Sequence, residues 1–282
     1  MKSDCVIRRA TRQDLDIVSE WAANEGWNPG IYDAESFYAT DRAGFYVGLV
    51  DGELISSISV VAYDNTFGFL GFYIVVPDYR HRGYGISIWN EALTHLPTQN
   101  VGLDGVVSEQ ENYKKSGFNV AYRNIRYEGT GSNQKSERPN ITPLSDVPFR
   151  LLLEYDNTVF PTSRPEFLKL WIAQPESLAV GCLEDAALVG YGVVRKCRNG
   201  YRVGPLFAND RPIADMLFQQ LRSFVGPETP LFLDAPEVNT EAIHLAESYQ
   251  MKPMFETARM YTKGAPQIEL TRVFGVTTLE LG

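Results

Sequence analysis

The feature of this sequence that most constrains its fold is a basic, glycine-punctuated loop between an apolar strand and a helix. The stretch, residues 72–86, reads FYIVVPDYRHRGYGI. The apolar segment stops at Pro77, and the helix opens after Gly83 and Gly85. Backbone N–H groups at such a helix start converge on one point, where the helix dipole adds partial positive charge. The pattern therefore predicts an anion site on a sheet that also carries helices.

The side chains of this loop agree with an anion site. Both glycines let an anion reach the backbone, and Arg80 and Arg82 can donate charge-assisted hydrogen bonds to it. The loop lacks the Gly-Lys-Ser/Thr of a Walker loop, and Ile88 stands where the dinucleotide fingerprint has its third glycine. The alternative is an ordinary strand–turn–helix junction with surface arginines. The coincidence of strand, proline, arginines and glycines favours the anion site.

Charge and composition exclude several classes of protein. The 282 residues carry 26 Lys and Arg against 35 Asp and Glu, which gives a formal net charge of −9. Nucleic-acid binding without sequence preference needs a basic surface, and anionic membranes attract basic segments, so neither partner is expected. No stretch approaches the roughly 18 apolar residues that a membrane span requires.

The cysteines, the histidines and the first residues predict a cytoplasmic protein without a metal. Cys5, Cys182 and Cys197 are too scattered for a disulfide framework or a thiolate metal site, which favours a reducing compartment. The polar start MKSDCVIRRATRQD is unlike a signal peptide. The histidines share no ligand spacing, so no metal is expected; they are His81, His95 and His244.

A stretch with linker composition divides the chain. Residues 129–140, GTGSNQKSERPN, lack large apolar side chains and combine Gly, Ser, Asn and Pro. We therefore expect a domain over residues 1–128, a linker over 129–140 and a second domain over 141–282. Both parts alternate strand-like and helix-like segments, which predicts an α/β fold with a mixed sheet.

Local patterns place the elements within each part. Thr11, with Asp14 three residues on, caps a helix that runs to Glu25, and Asp51-Gly52 marks a β-hairpin. The first part has strands predicted over residues 6–8, 45–50, 54–62, 67–76, 101–107 and 122–127, with further helices over 86–96 and 112–116. The second part repeats this order loosely, with helices predicted over 151–160, 165–171, 214–225 and 240–249 and strands over 177–180, 188–195, 201–207, 231–234 and 255–261.

The pattern Arg80-x-x-Gly83-x-Gly85 behind a Val-x-Pro strand resembles the pyrophosphate loop of the GNAT superfamily of acyl-CoA-dependent N-acetyltransferases. The resemblance extends over most of residues 5–128 and includes their element order. It also includes Tyr113 and a Gly-Phe pair in YKKSGF, residues 113–118, at the expected distance after the glycines. With features of the second part, it makes the chain similar to a tandem subgroup in which a divergent, degenerate GNAT-like domain follows the first.

The resemblance implies which residues hold acetyl-CoA. The family's central strand splays from its neighbour, pairs with the pantetheine arm and presents a backbone N–H to the thioester carbonyl. The matching positions are Tyr73, Ile74 and Val75. The pyrophosphate would be held by Arg80, His81, Arg82, Gly83, Tyr84 and Gly85.

Two further positions bear on the chemistry that the resemblance implies. Tyr113 matches the family's tyrosine that protonates the departing CoA thiolate, and a core tyrosine beside Phe118 is the alternative. Val106 departs from the family pattern, since many members carry there an asparagine that contacts the pantetheine.

The family usually reads its acceptor with the loop between the first two helices, here residues 24–33. Trp27 offers an aromatic wall, and Asn28 and Asp33 offer polar groups for a cationic amine. Glu25 is the predicted base, because an alkylammonium of pKa about 10 must lose a proton before its nitrogen attacks. The alternative is a rigid surface loop with a tryptophan buried beneath it.

The second part is not expected to bind acetyl-CoA in the family's way. It has no Arg-x-x-Gly-x-Gly, and Asp210 after its central strand would repel a pyrophosphate. We expect it to pack on the first part and to lend groups to the acceptor pocket. Asp234 and Asn239 are the predicted substrate residues, with Arg259 as a further candidate, and helix caps or surface ion pairs are the alternative for each.

The sequence thus predicts an N-acetyltransferase that passes an acetyl group, or another short acyl group, from acetyl-CoA to a primary amine of a small molecule or peptide. The amine would attack directly, through a tetrahedral intermediate. A monomer or homodimer is expected. Two alternatives stay open: a catalytically inactive CoA-binding sensor or interaction module with the same fold, and a phosphate-ligand binder unrelated to CoA.

Overall fold

The strands of both parts of the chain join in one mixed β-sheet. The computed structural model of the protein describes residues 5–134, 138 and 140–282. The first part contributes β1 Cys5–Arg9, β2 Phe45–Val50, β3 Glu53–Ala62, β4 Phe67–Val75, β5 Asn100–Val106 and β6 Asn119–Thr130. The second part contributes β7 Ile141–Pro143, β8 Ser177–Glu184, β9 Ala187–Lys196, β10 Tyr201–Ala208, β11 Pro230–Pro236, β12 Lys252–Tyr261 and β13 Val273–Gly275.

Eight helices flank this sheet in the described residues. They are α1 Asp14–Asn24, α2 Asp33–Thr40, α3 Tyr84–Leu93, α4 Gln110–Lys115, α5 Phe149–Val159, α6 Pro165–Trp171, α7 Arg211–Phe224 and α8 Thr240–Ser248. Within the same ranges, none of these helices has the length and apolar character that crossing a membrane requires.

Local chemistry explains several element boundaries. The Thr11 N–H donates to the Asp14 carboxylate at 2.6 Å and the Asp14 N–H donates to the Thr11 hydroxyl at 3.2 Å, which is the predicted capping pair, although α1 begins only at Asp14. Asp51 and Gly52 have φ of 51° and 84°, as a tight hairpin turn between β2 and β3 requires. Gly83, with φ of 89°, precedes α3, so that helix begins two residues earlier than predicted.

The two parts of the chain exchange strands. The sheet runs β1-β2-β3-β4-β5-β12-β6-β11-β10-β9-β8-β7, with β13 beside β10. Strand β12 of the second part therefore lies between β5 and β6 of the first, where Met260 faces Leu103 and Thr257 faces Asn124. Strand β6 in turn lies between β12 and β11. Each part thus completes the sheet of the other.

This exchange corrects the start of the predicted linker. Gly129 and Thr130 belong to β6 and pair with Leu231 and Pro230 of β11, because strand pairing uses their backbone and does not need an apolar side chain. Residues 135–137 and 139 of the predicted linker lie outside the described residues. Strand β12, expected to close the second part, pairs instead with the first.

Helices from the two parts also share a hydrophobic core. The ring of Phe37 in α2 stacks on the ring of Trp171 in α6, with centroids 5.9 Å apart. Phe72 and Ile74 of β4 belong to the same buried cluster, as does Val193 of β9. The first part therefore depends on the second for the packing of its central strand.

Candidate functional site

The central strand β4 leaves its parallel neighbour halfway along its length. Parallel pairing with β5 covers Phe67 to Leu70 of β4 and ends where Leu70 faces Leu103. Strand β4 continues to Val75 on its other neighbour, β3, after a bulge at which Phe72 has φ of 46°. The gap that opens leads into a cavity of about 540 Å³. Residues predicted for the site that line it are Glu25, Trp27, Tyr73, Ile74, Val75, Arg80, His81, Gly83, Gly85 and Tyr113.

The loop before α3 carries a run of unpaired backbone donors. The first backbone hydrogen bond of this helix runs from the Ser87 N–H to the Gly83 carbonyl. Among the described residues, no hydrogen bond uses the N–H groups of residues 81–86. His81 and Gly83 have positive φ, 60° and 89°, which turns the backbone around this point. Such a helix start is a ready-made anion site.

Two residues predicted for the pyrophosphate do not line the cavity. The Arg82 guanidinium lies over the Tyr79 ring, 5.6 Å from its centroid. Tyr84 is buried in a small cluster with Val50 and Ile55. The side chain of Tyr84 therefore anchors the start of α3, and only its backbone N–H belongs to the open set.

Arg80 is held from two sides. Its Nε donates to the Val75 carbonyl at 2.8 Å, and its Nη2 forms an ion pair with Glu25, which directly follows α1. Both side chains are about one-third exposed. The predicted base and a predicted pyrophosphate ligand therefore contact each other across the mouth of the cavity.

Tyr113 of α4 reaches the cavity from the side of β5. Its ring stacks on Trp89 of α3, with centroids 5.8 Å apart. It also lies against Gly105, where any Cβ would come within 2.7 Å of the ring. Burial, with a smaller contribution from Glu109, raises the pKa of Tyr113 above its ordinary value. The hydroxyl is therefore protonated through the neutral pH range.

Only part of the loop over residues 24–33, which is predicted to contact the acceptor, faces the cavity. Trp27 and Glu25 line it. Asn28 instead exchanges hydrogen bonds with the backbone of Asn199, at 2.9 and 2.8 Å. Asp33 is 2% exposed and accepts from Arg195 Nε at 2.8 Å. Both side chains fasten this loop to the second part, and the structure does not bring either to the cavity.

The predicted residues of the second part also have structural partners. Asp234 is 1% exposed and accepts two hydrogen bonds from Arg126, at 2.6 and 2.8 Å. Asn239 caps α8 by accepting from the Ala242 N–H at 3.3 Å, which is the helix-cap alternative. Arg259 pairs with Asp104 at 2.7 Å in the interior and not on the surface. The structure places neither Asp234 nor Asn239 on the cavity.

The second part does lend groups to the cavity, but from other positions. Phe255 and Thr257 of β12 line it because that strand lies next to β5. Leu279 and Glu280, near the end of the described chain, line it as well. Alternation along β12 could have marked Phe255 and Thr257 as one face, whereas no sequence pattern marks residues 279 and 280.

Within the described residues, no group of three or more His, Cys, Asp and Glu side chains could hold a metal ion. Open backbone amides, a half-buried phenol and a few carboxylates border the cavity. Val106, at the position where the resembled family often has asparagine, lines the cavity with an apolar side chain.

Comparison with known families agrees with this architecture. The description "Acetyltransferase (GNAT) family" matches residues 14–118, and "Acetyltransferase (GNAT) domain" matches residues 152–275. A holothin acyltransferase from Pseudoalteromonas sp. (strain SANK 73390) is 31% identical over 273 residues, which cover 97% of this chain and 93% of that protein. The chain therefore belongs to the GNAT acetyltransferase family. It is a tandem GNAT protein of the acyltransferase class.

Solved structures share the fold over nearly the whole chain. A Pyrococcus horikoshii structure assigned as an acetyltransferase superposes with a TM-score of 0.85 at 20% identity, covering 100% of this chain and 97% of that one. A tandem GNAT protein from the clavulanic acid biosynthesis pathway gives a TM-score of 0.63 at 12% identity, covering 92% and 98%. At these identities the likeness concerns the fold, and it confirms the mixed α/β sheet with two GNAT domains.

Proposed function

We propose that this protein transfers an acyl group, with acetyl as the expected one, from acyl-CoA to a primary amine. The observation that carries the proposal is that the open amides of residues 81–86 and the unpaired end of β4 border one cavity. A diphosphate fits the amides because it offers several anionic acceptors at once. The free edge of β4 offers its backbone to the two amides of a pantetheine arm.

The chain offers a candidate group for each proposed step: an N–H donor for the thioester carbonyl, an acid for the sulfur and a base for the amine. The backbone N–H groups that residues 73–75 present on the side of β4 away from β3 are the donors proposed to polarise the thioester carbonyl as its oxygen becomes negative. Tyr113 is the proposed acid for the CoA sulfur, because its raised pKa keeps the hydroxyl protonated. Glu25 stays the base predicted from the sequence, and it would first have to leave Arg80.

The walls of the cavity favour an acceptor with an apolar body. Trp27 and Phe255 line it alongside Leu279, so a flat or hydrophobic amine can bury surface there. The relative named for holothin makes holothin a rational member of the acceptor panel.

Binding and turnover test this function separately. Calorimetry with CoA, acetyl-CoA and ATP should give binding of both CoA forms and much weaker binding of ATP. Thiol release from acetyl-CoA should then depend on an added amine, in a panel that includes arylalkylamines, polyamines, peptides and holothin. Binding of CoA without amine-dependent release would support the sensor alternative, and equal binding of ATP would support a general phosphate binder.

A further inference from the structure

A buried carboxylate without a hydrogen-bond partner borders the cavity. Glu280 is 5% exposed, and within the described residues neither of its carboxylate oxygens accepts a hydrogen bond. Its Oε1 lies 4.0 Å from Arg202 Nη1, beyond hydrogen-bond distance. Buried charged groups are normally hydrogen-bonded, because desolvation without a partner is costly. A donor supplied by a ligand in the cavity would complete this site.

The residues around Glu280 are fastened in place. The Leu281 N–H donates to the Thr278 hydroxyl at 2.8 Å, and the Tyr63 hydroxyl donates to the Leu281 carbonyl at 2.8 Å. The Glu280 backbone lies directly on Gly71, where a Cβ would come within 2.1 Å of the Glu280 carbonyl oxygen. Gly71 follows the last residue of β4 that pairs with β5. Glu280 is thus fixed at the point where the strands separate.

The charges that face Glu280 come from several strands. Arg202 of β10, Arg126 of β6 and Arg195 of β9 are the cations, and Asp33 is the nearby anion; Asp234 lies behind Arg126 and Arg202. Two of the cations are already committed, since Arg195 pairs with Asp33 and Arg126 with Asp234. Burial raises the pKa of Glu280, and Arg202 opposes that rise only in part.

Resting on the acyl transfer proposed above, we infer that Glu280 binds the acceptor's ammonium and takes its proton. The freed amine nitrogen attacks the thioester carbon, so a C–N bond forms and the C–S bond then breaks. Two protons leave the nitrogen in all. One passes through Glu280 to solvent, and the other ends on the CoA sulfur, delivered by Tyr113. Ammonium and acyl-CoA thus give amide, CoA thiol and one proton.

Other titratable groups on the cavity serve this role less well. Glu25 is held by Arg80 near the mouth, and Asp104 is paired with Arg259. Glu109 accepts a hydrogen bond from Asn112. His81 lies in the loop that carries the open amides, where the proposed diphosphate would bind. Glu280 differs from all four because it is buried, lies 4.0 Å from the nearest cation and accepts no hydrogen bond within the described residues.

The test compares full-length wild type with Glu280→Gln, Glu280→Asp, Glu25→Gln and His81→Asn. For each, the CoA dissociation constant is measured by calorimetry, and kcat/KM is followed from pH 5 to 9 with two acceptors whose amine pKa values differ. If the pH at which kcat/KM begins to fall does not change with the acceptor, that limb of the pH profile reports a group of the enzyme. We expect Glu280→Gln to lose that limb and at least about 100-fold in kcat/KM. Its CoA affinity should be unchanged, and Glu280→Asp should keep the limb.

Each outcome decides one point. Suppose that the wild type is active and that Glu280→Gln keeps the same pH profile with a kcat/KM within threefold of the wild-type value. That result would overturn the role of Glu280 and leave acyl transfer standing. Loss of the limb in Glu25→Gln or His81→Asn alone would assign the base to that residue. A wild type that binds CoA and turns over no amine would overturn the proposed function itself. Unchanged CoA affinity in Glu280→Gln guards against misfolding as the cause.

Discussion

Arg126 of β6 donates a bidentate pair of hydrogen bonds to Asp234 of β11, and both side chains are 2% exposed. The pair joins the two parts of the chain in the interior of the shared sheet. Arg126 also donates to the Trp27 carbonyl at 2.8 Å, so the same guanidinium supports the loop that borders the cavity. The interface and the loop that borders the cavity therefore share one charged pair.

Asp234→Ala should destabilise the whole protein. Burial alone would raise the pKa of Asp234, but Arg126 and Arg202 hold it below its ordinary value. Removing the carboxylate leaves these cations buried without their partner, which costs about 3–5 kcal/mol. Because the pKa is lowered, this stabilisation is present above pH about 4 and is lost as the pH falls through the folded pKa.

Urea unfolding at pH 7 and again at about pH 3, below the ordinary aspartate pKa of about 3.9, measures this effect. The matched control is Glu154→Ala, which breaks the exposed Arg150–Glu154 pair and should cost less than about 1 kcal/mol. A loss below 1 kcal/mol in Asp234→Ala would show that the pair does not hold the interface.

Gly83→Ala should weaken CoA binding through the backbone. Gly83 has φ of 89°, and a side chain there costs about 1–2 kcal/mol and shifts the amides of the loop. Gly52→Ala is the control, since Gly52 has φ of 84° in the hairpin between β2 and β3, with open space around its Cβ position. Both variants should lose similar stability in thermal unfolding, and calorimetry should find weaker CoA binding only in Gly83→Ala.

Glu25→Gln should bind CoA more tightly than wild type. The change releases Arg80 from its ion pair and removes a negative charge beside the proposed diphosphate site. An exposed pair of this kind is worth up to about 1 kcal/mol, so the gain in affinity is up to about fivefold. The control is Glu20→Gln. Glu20 lies on α1 and forms an exposed ion pair with Arg198, so this variant also frees an arginine but should leave CoA affinity unchanged. Weaker binding in Glu25→Gln would mean that the ion pair preorganises Arg80.

Tyr113→Phe should lower kcat by about 10²-fold with little change in the KM for acetyl-CoA. The wild-type rate should show no loss from ionisation of Tyr113 below pH about 10, because burial raises the pKa of this phenol. Tyr46→Phe removes a hydroxyl from the same hydrophobic cluster and should leave kcat within about twofold. Steady-state thiol release measures kcat for the wild type, Tyr113→Phe and Tyr46→Phe. Equal rates for Tyr113→Phe and wild type would mean that another group donates the proton.

Local chemistry made much of the fold predictable. The Thr11–Asp14 cap, the Asp51-Gly52 hairpin and the glycines before α3 act over a few residues, so their effect can be read from the sequence. The loop before α3 also carried the resemblance to the GNAT family, and the comparisons confirm that family.

The positions of the residues predicted for the acceptor depend on contacts distant in sequence. Asp33 pairs with Arg195, 162 residues away, and Asp234 pairs with Arg126, 108 residues away. No local pattern distinguishes a carboxylate with such a partner from one that faces a ligand. Phe255 and Glu280 reach the cavity only because β12 enters the sheet of the first part and the residues after β13 lie on Gly71.

The exchange of β6 and β12 also bears on how such a chain can change in evolution. Because each part supplies an interior strand next to strands of the other, removal of either part would leave unpaired sheet edges open to association. Recombination at the junction would therefore have to carry a compatible strand with it. The two GNAT domains are therefore expected to be inherited as a single module.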